Sequence, residues 1–178
     1  MSRYRRSHTP SASWFFTVVT FRRRKILTDE TLRDALRAAI QKVRTTRPFV
    51  IDAWVLLPDH MHCIWTLPDG DHDYSGRWSL IKSMASRKLP EYHQPGWMSQ
   101  SKTSRRESTI WQRRFWEHQL LDQADFNRHM DYIHLNPLKH GLVRSVADWP
   151  WSSFHRYVEA GVYPLNWTRD HPLIDTME

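Results

Sequence analysis

Hydrophobic and polar positions along this chain follow two periods, and the switches between them mark out its elements. Residues 13–21, SWFFTVVTF, are β-branched and aromatic and predict a buried strand. Beyond the basic run RRRK, the TDE at 28–30 supplies helix-start chemistry. From Glu30 to Thr46 the apolar residues Leu32, Ala35, Leu36, Ala39, Ile40 and Val43 recur at helical spacing with arginines opposite, and Pro48 closes that helix. FVIDAWVLL (49–57) and HMHCIWTL (60–67) predict two strands, which the short Pro58-Asp59 turn pairs as a hairpin. RWSLIKSMASRKL (77–89) predicts a helix with basic residues scattered over it. Residues 90–108 are polar, aperiodic and broken by Pro and Gly, which predicts a long mobile loop. WQRRFWEHQLL (111–121) alternates like a fourth strand. Residues 123–143 predict a helix with a proline near its end and Gly141 as its stop.

The order strand–helix–strand–strand–helix–strand, then a helix, is that of a split βαβ unit. The expected class is α+β: a ferredoxin-like antiparallel sheet of four to five strands with helices on one face. WPWSSFHRYVEAGVYPLNW (149–167) is aromatic enough to dock on that body. The expected organisation is therefore a domain over 1–145 with a C-terminal extension, 146–178, docked on it. No internal repeat is visible.

Charge narrows the partner. Among 178 residues, 26 Lys+Arg oppose 19 Asp+Glu, giving a formal net charge of +7 and favouring a polyanion, of which nucleic acid is the commonest. Ten tryptophans exceed what a core of this size needs, so a minority are free to stack on exposed bases. Trp78, Trp97 and Trp111 are the candidates for stacking, whereas Trp54 and Trp65, on strands, are expected in the core. The single cysteine, Cys63, excludes an internal disulfide and a Cys-based zinc site. The basic N-terminus MSRYRRSHTP precedes no long apolar run, so neither a signal peptide nor a membrane span is expected, and the chain reads as cytoplasmic and nucleoid-associated.

Candidate chemistry begins at LLPDHMHCIW, where His60 and His62 sit one residue apart on a strand and so face alike. Tyr132 and Asn136, four apart, share a helix face. Two imidazoles and the Asn136 carbonyl oxygen can together hold a divalent cation, with Tyr132 one turn away. Such an ion stabilises charge on a phosphate while a phenol oxygen attacks the phosphorus. Pro137 disfavours helical geometry at Asn136 and raises the prospect of a helix end or kink there. The competing readings are plain strand histidines and a packing tyrosine. Asp59 is either an orienter of the adjacent imidazole or a turn cap.

PDHMHCIW resembles the histidine–hydrophobic–histidine (HUH) motif of single-tyrosine nucleases. YIHLNPLKHGLV with DWPWSSFHRY is similar to the REP-associated tyrosine transposases, and the resemblance runs from the first strand to about Tyr157. It implies a ferredoxin-like catalytic domain and a Mg²⁺ or Mn²⁺ ion held by His60, His62 and Asn136. It also implies Tyr132 as the nucleophile that becomes linked to a 5′-phosphate of single-stranded DNA, freeing a 3′-hydroxyl. The implied substrate is a short palindromic hairpin of the repetitive extragenic kind. The helix ligand, often Gln in the wider group, is the shorter Asn136 here. Imidazole ligation implies tighter binding of Mn²⁺ than of Mg²⁺.

The basic clusters are expected to grip phosphates, which positions DNA without reading its sequence. They comprise Arg5, Arg6, Arg22, Arg23, Arg24, Lys25, Arg87, Lys88, Arg105, Arg106, Arg113 and Lys139, with RRRK (22–25) the foremost patch. His118 is expected to border the site and contact phosphate, and His129 to lie near the nucleophile. The basic N-terminus and the 90–108 loop are candidates for hairpin recognition. Energy conserved in a phosphotyrosine bond requires no nucleotide cofactor, in keeping with the lack of a phosphate-gripping glycine loop. A monomer is favoured over a dimer. The alternatives to a transesterase are a non-catalytic hairpin binder on the same fold and a metal hydrolase that uses water.

Overall fold

The computed structural model describes residues 12–167. Four strands, β1 (Ser13–Val19), β2 (Val50–Leu56), β3 (His60–Thr66) and β4 (Trp116–Leu120), form one antiparallel sheet in the order β2-β3-β1-β4. Helices α1 (Glu30–Thr46) and α2 (Tyr74–Arg87) fill the two connections of the split βαβ unit. The short α3 (Gln100–Ser104), the long α4 (Gln123–Lys139) and α5 (Phe154–Glu159) complete the helices among the described residues.

Strand alternation sorts the core into two clusters. On one face, Phe16 and Val18 of β1 and Met61, Cys63 and Trp65 of β3 meet α1 and α2. On the other, Phe15, Val55 and Ile64 meet Phe126, Met130 and Ile133 of α4. The two helices of the βαβ unit thus share one face, and α4 lies across the opposite one. Trp149, Phe154, Tyr157, Tyr163 and Trp167 pack into that second cluster. Trp149 donates through Nε1 to the Leu56 carbonyl, and the Tyr157 hydroxyl donates to the Asp52 carbonyl.

Several details differ from the sequence reading. Helix α2 starts a turn earlier, at Tyr74, because Asp73 caps it by accepting from the Gly76 N–H. A Cβ at position 76 would press on that carboxylate, so a larger residue there would displace the capping side chain. The 90–108 segment is not a structureless loop. It carries turns at Pro90–Tyr92 and Pro95–Trp97 and then α3, whose N-cap Ser99 accepts from Lys102 N–H. The fourth strand is short: only Trp116–Leu120 pair with β1, and Trp111 makes an isolated bridge to Thr20. Trp78 and Trp111, expected to stack on bases, are 1% and 4% exposed and belong to the core, where Trp78 stacks on Trp65. Pro137 does not end α4, which runs on through Leu138 and Lys139 before His140 closes it and Gly141 takes up a left-handed φ of 65°. No helix among the described residues is long and apolar enough to cross a membrane.

Candidate active site

β3 turns His60 and His62 toward α4, and both are nearly buried. Each ring is fixed through Nδ1: His60 by the Asp59 carboxylate at 2.7 Å, His62 by the Thr17 hydroxyl at 2.8 Å. That leaves Nε2 as the remaining nitrogen of each ring, and His62 Nε2 has no hydrogen-bond partner. An imidazole oriented at one nitrogen and open at the other is the arrangement of a metal-binding histidine. Asp59, left between orienter and turn cap by its sequence position, orients His60. It also pairs with Arg23 at 3.1 Å.

Burial, reinforced by the neighbouring His60 and His140, holds His62 well below its ordinary range. His60 is also lowered by burial, although Asp59 opposes the shift. Burial pushes the Asp59 carboxyl up, but the His60 hydrogen bond and the Arg23 charge outweigh it and hold it low. Both imidazoles are therefore neutral at pH 7, the state a cation requires.

Helix α4 crosses this pair along a single face. The half-buried Tyr132 ring stands edge-on to His62 at 5.2 Å, and His140, two turns on, meets His60 at 5.2 Å. Asn136 lies midway along the chain, one turn from each, at the spacing that shares a helix face. It is fully buried, and neither Oδ1 nor Nδ2 has a hydrogen-bond partner. Leaving a buried amide unsatisfied costs about 1–3 kcal/mol. A buried amide and a buried imidazole nitrogen, both without hydrogen-bond partners, are a donor set a divalent cation would complete, so these residues fit the group. Lys139 places its ammonium 5.4 Å from the Tyr132 ring. Tyr132, His60, His62, Lys139, His140 and Arg23 share a cavity of about 630 Å³ with Phe15, Thr17, Trp116 and His129.

A second donor set borders this cavity. His118, Asp125 and His129 place ligand atoms within 4.8 Å of one another, a composition able to coordinate a divalent metal. His118 Nε2 lies 3.0 Å from Asp125 Oδ2, and His129 Nδ1 lies 3.1 Å from Oδ1. The carboxylate also accepts from the Leu121 N–H and from Arg128. These bonds outweigh the upward push of burial and keep Asp125 below its ordinary value.

The basic residues separate. Arg23 alone of the RRRK patch reaches the cavity, from a turn in which Arg22 and Arg23 take left-handed φ values of 57° and 50°. Arg22 and Arg24 instead lie over the Trp97 ring, at 4.7 and 5.5 Å. Lys25 and Lys88 are exposed elsewhere. Arg87, Arg105, Arg106 and Arg113 line a separate cleft of about 650 Å³ with Lys82 and His93, on the α1/α2 face of the sheet. Arg113 is already paired there with Glu107 at 2.5 Å. Arg5 and Arg6 lie outside the described residues. Sequence reasoning did not single out Thr17, Trp116 or His140. The strand register that puts Thr17 and Trp116 beside His62 depends on long-range pairing, and His140 was legible only as four residues beyond Asn136.

Comparison with known proteins places this geometry in context. The family profile described as "Transposase IS200 like" matches residues 11–136, ending on Asn136. The REP-associated tyrosine transposase of Escherichia coli (strain K12) is 48% identical over 171 residues, 96% of this chain and 93% of that protein. A Haemophilus influenzae relative of the same group is 41% identical over 167 residues, covering 94% of this chain and 93% of the relative. A solved structure of a REP-associated tyrosine transposase bound to a REP hairpin superposes with a TM-score of 0.73 at 47% identity, covering 96% and 93% of the two chains.

Proposed function

The chain belongs to the IS200-like transposase family and, within it, to the REP-associated tyrosine transposases of the HUH superfamily, and from that premise we propose that Tyr132 cuts and rejoins single-stranded DNA at REP hairpins. The observation that carries the assignment to particular residues is the juxtaposition on α4 and β3. Tyr132 abuts His62 and His140 meets His60, and Asn136, whose buried amide has no hydrogen-bond partner, lies one turn from each along the chain.

In this reading the Tyr132 phenol oxygen attacks the scissile phosphorus. The phosphorus–O3′ bond breaks, the 5′-phosphate remains on tyrosine, the phenol loses its proton and the departing 3′-oxygen gains one. Tyrosine ordinarily ionises near 10, so the attack needs a partner that favours the phenolate. His60, His62 and Asn136 would hold a divalent cation, which as a Lewis acid stabilises charge on the phosphate oxygens. Thr17 and Asp59 keep the two rings oriented for it. Lys139 and Arg23, at the cavity margin, attract the phosphate and fix its approach. Rejoining is the same displacement run backwards by a 3′-hydroxyl, so the bond energy is retained and no nucleotide is consumed.

The docked C-terminal segment belongs to this unit, because its aromatics support α4 from behind, and one copy holds every group named above. We therefore favour a monomer, which sedimentation at micromolar concentration would check. The experiment for the function is covalent capture. Labelled hairpin oligonucleotide with Mn²⁺ should yield a detergent-stable protein–DNA band that Tyr132→Phe abolishes while hairpin affinity stays within a small factor. Equal binding with no band in either protein would leave a non-catalytic hairpin binder. Cutting without a band would mean that water is the nucleophile.

A further inference from the structure

The cavity has one wall that the cutting reaction does not use. Trp116, at the start of β4, is 55% exposed, although most tryptophans of this chain are buried or half-buried. Its position follows from register. Trp116 pairs with Thr17, which in turn pairs with His62, so the three stand in one row on the α4 face of the sheet. Two strand spacings, about 10 Å, separate the Trp116 and His62 backbones. That is the span of one nucleotide measured from its phosphate to the far edge of its base.

The ring is also braced. Trp116 lies nearly parallel to His118, at 5.9 Å and 11°, and His118 lies nearly parallel to His129, at 4.9 Å and 21°. Asp125 ties both imidazoles, and Phe15 supports Trp116 edge-on at 5.6 Å while touching Tyr132. An exposed indole costs solvation and would more cheaply be a polar residue on an edge strand. A pile of flat rings held by a buried carboxylate presents one rigid π-face to the cavity. A pre-ordered aromatic face loses little entropy when a base settles on it.

We propose that Trp116 is the stacking platform for the base of a nucleotide next to the scissile phosphate, with His118, His129 and Asp125 as its positioning residues. The inference rests on the reading of Tyr132 and the His60/His62 pair as the cutting centre, which fixes where the phosphate lies. It assigns His118 a place beneath the indole rather than a contact with phosphate. Because the stack forms when DNA binds, before chemistry, its loss should raise KM more than it lowers kcat.

The test uses the full chain carrying Tyr132→Phe, so that no cutting intervenes. The probe is a hairpin oligonucleotide with 2-aminopurine at each unpaired flanking position in turn. Binding should quench the fluorescence at one position. Adding Trp116→Ala should abolish that quench and weaken binding about tenfold or more, the usual size of a lost base–aromatic stack. Trp116→Phe should keep most of both, and Leu121→Ala, at an exposed neighbouring site, should change neither. The proposal is overturned if no position depends on residue 116, or if Trp116→Ala alters self-association and leaves DNA affinity intact. Covalent capture by the wild type is scored separately. Its failure would remove the cutting centre and leave the quench result standing, and the reverse outcome would spare the cutting centre.

Discussion

At the residue scale, Asn136 combines complete burial with two polar atoms that find no partner. A fully buried amide with neither polar atom bonded is a stability defect that a core would ordinarily eliminate. Asn136→Leu removes the orphaned atoms at similar volume, so it should raise the metal-free unfolding free energy by about 1 kcal/mol. The same change should abolish Mn²⁺ binding, read by calorimetry. Gain of stability with loss of metal is the signature of a ligand; loss of both would mark a structural asparagine. The imidazole pair carries its own test. Isothermal titration should show Mn²⁺ binding more tightly than Mg²⁺, because neutral imidazole prefers the softer ion. Equal affinities would count against His60 and His62 as ligands. The pair itself was legible, since alternation on a strand puts residues two apart on one side. The hydroxyl that orients His62 was not, since Thr17 is 45 residues away in sequence.

At the scale of elements, α2 balances burial against charge. Lys82 donates to the Gln112 carbonyl at 3.0 Å and lies 5.3 Å from the Phe115 ring. Burial, opposed by the Glu107 charge, lowers its pKa to about 8. The unfolded chain therefore holds this proton more tightly, and between pH 8 and about 10.5 stability should rise with pH. The gain, at most about 3 kcal/mol, is measured as the urea midpoint of the wild type relative to Lys82→Met, which cancels other titrations. No difference across that window would mean that the ammonium is solvated. Helix α1 and the β2–β3 hairpin were readable because their periodicity and their punctuation agree. Residues 90–108 were misread because the short turns there are set by Pro90, Pro95 and Ser99 locally, with no apolar period to announce them. Trp78 and Trp111 were misplaced for a related reason: a tryptophan's burial depends on which helix covers it, and that is a tertiary fact.

For the whole molecule, the ferredoxin-like order followed from the sequence of elements, but the two-sided use of the sheet did not. The face toward α1 and α2 is a conventional apolar core. The face toward α4 mixes apolar packing with the histidines, and the C-terminal aromatics close it from outside. Deleting residues after 145 would expose Phe126, Met130 and Ile133, so the truncated chain should lose cooperative unfolding, as read by near-UV circular dichroism. Retention of a sharp transition would show that the segment is dispensable. The central claim is that Tyr132 itself becomes joined to DNA. Its most direct measurement is tandem mass spectrometry of the nuclease-trimmed adduct. The spectrum should place a 5′-linked nucleotide on the peptide bearing Tyr132. A nucleotide on any other residue, or cut DNA with no protein-linked fragment, would contradict it.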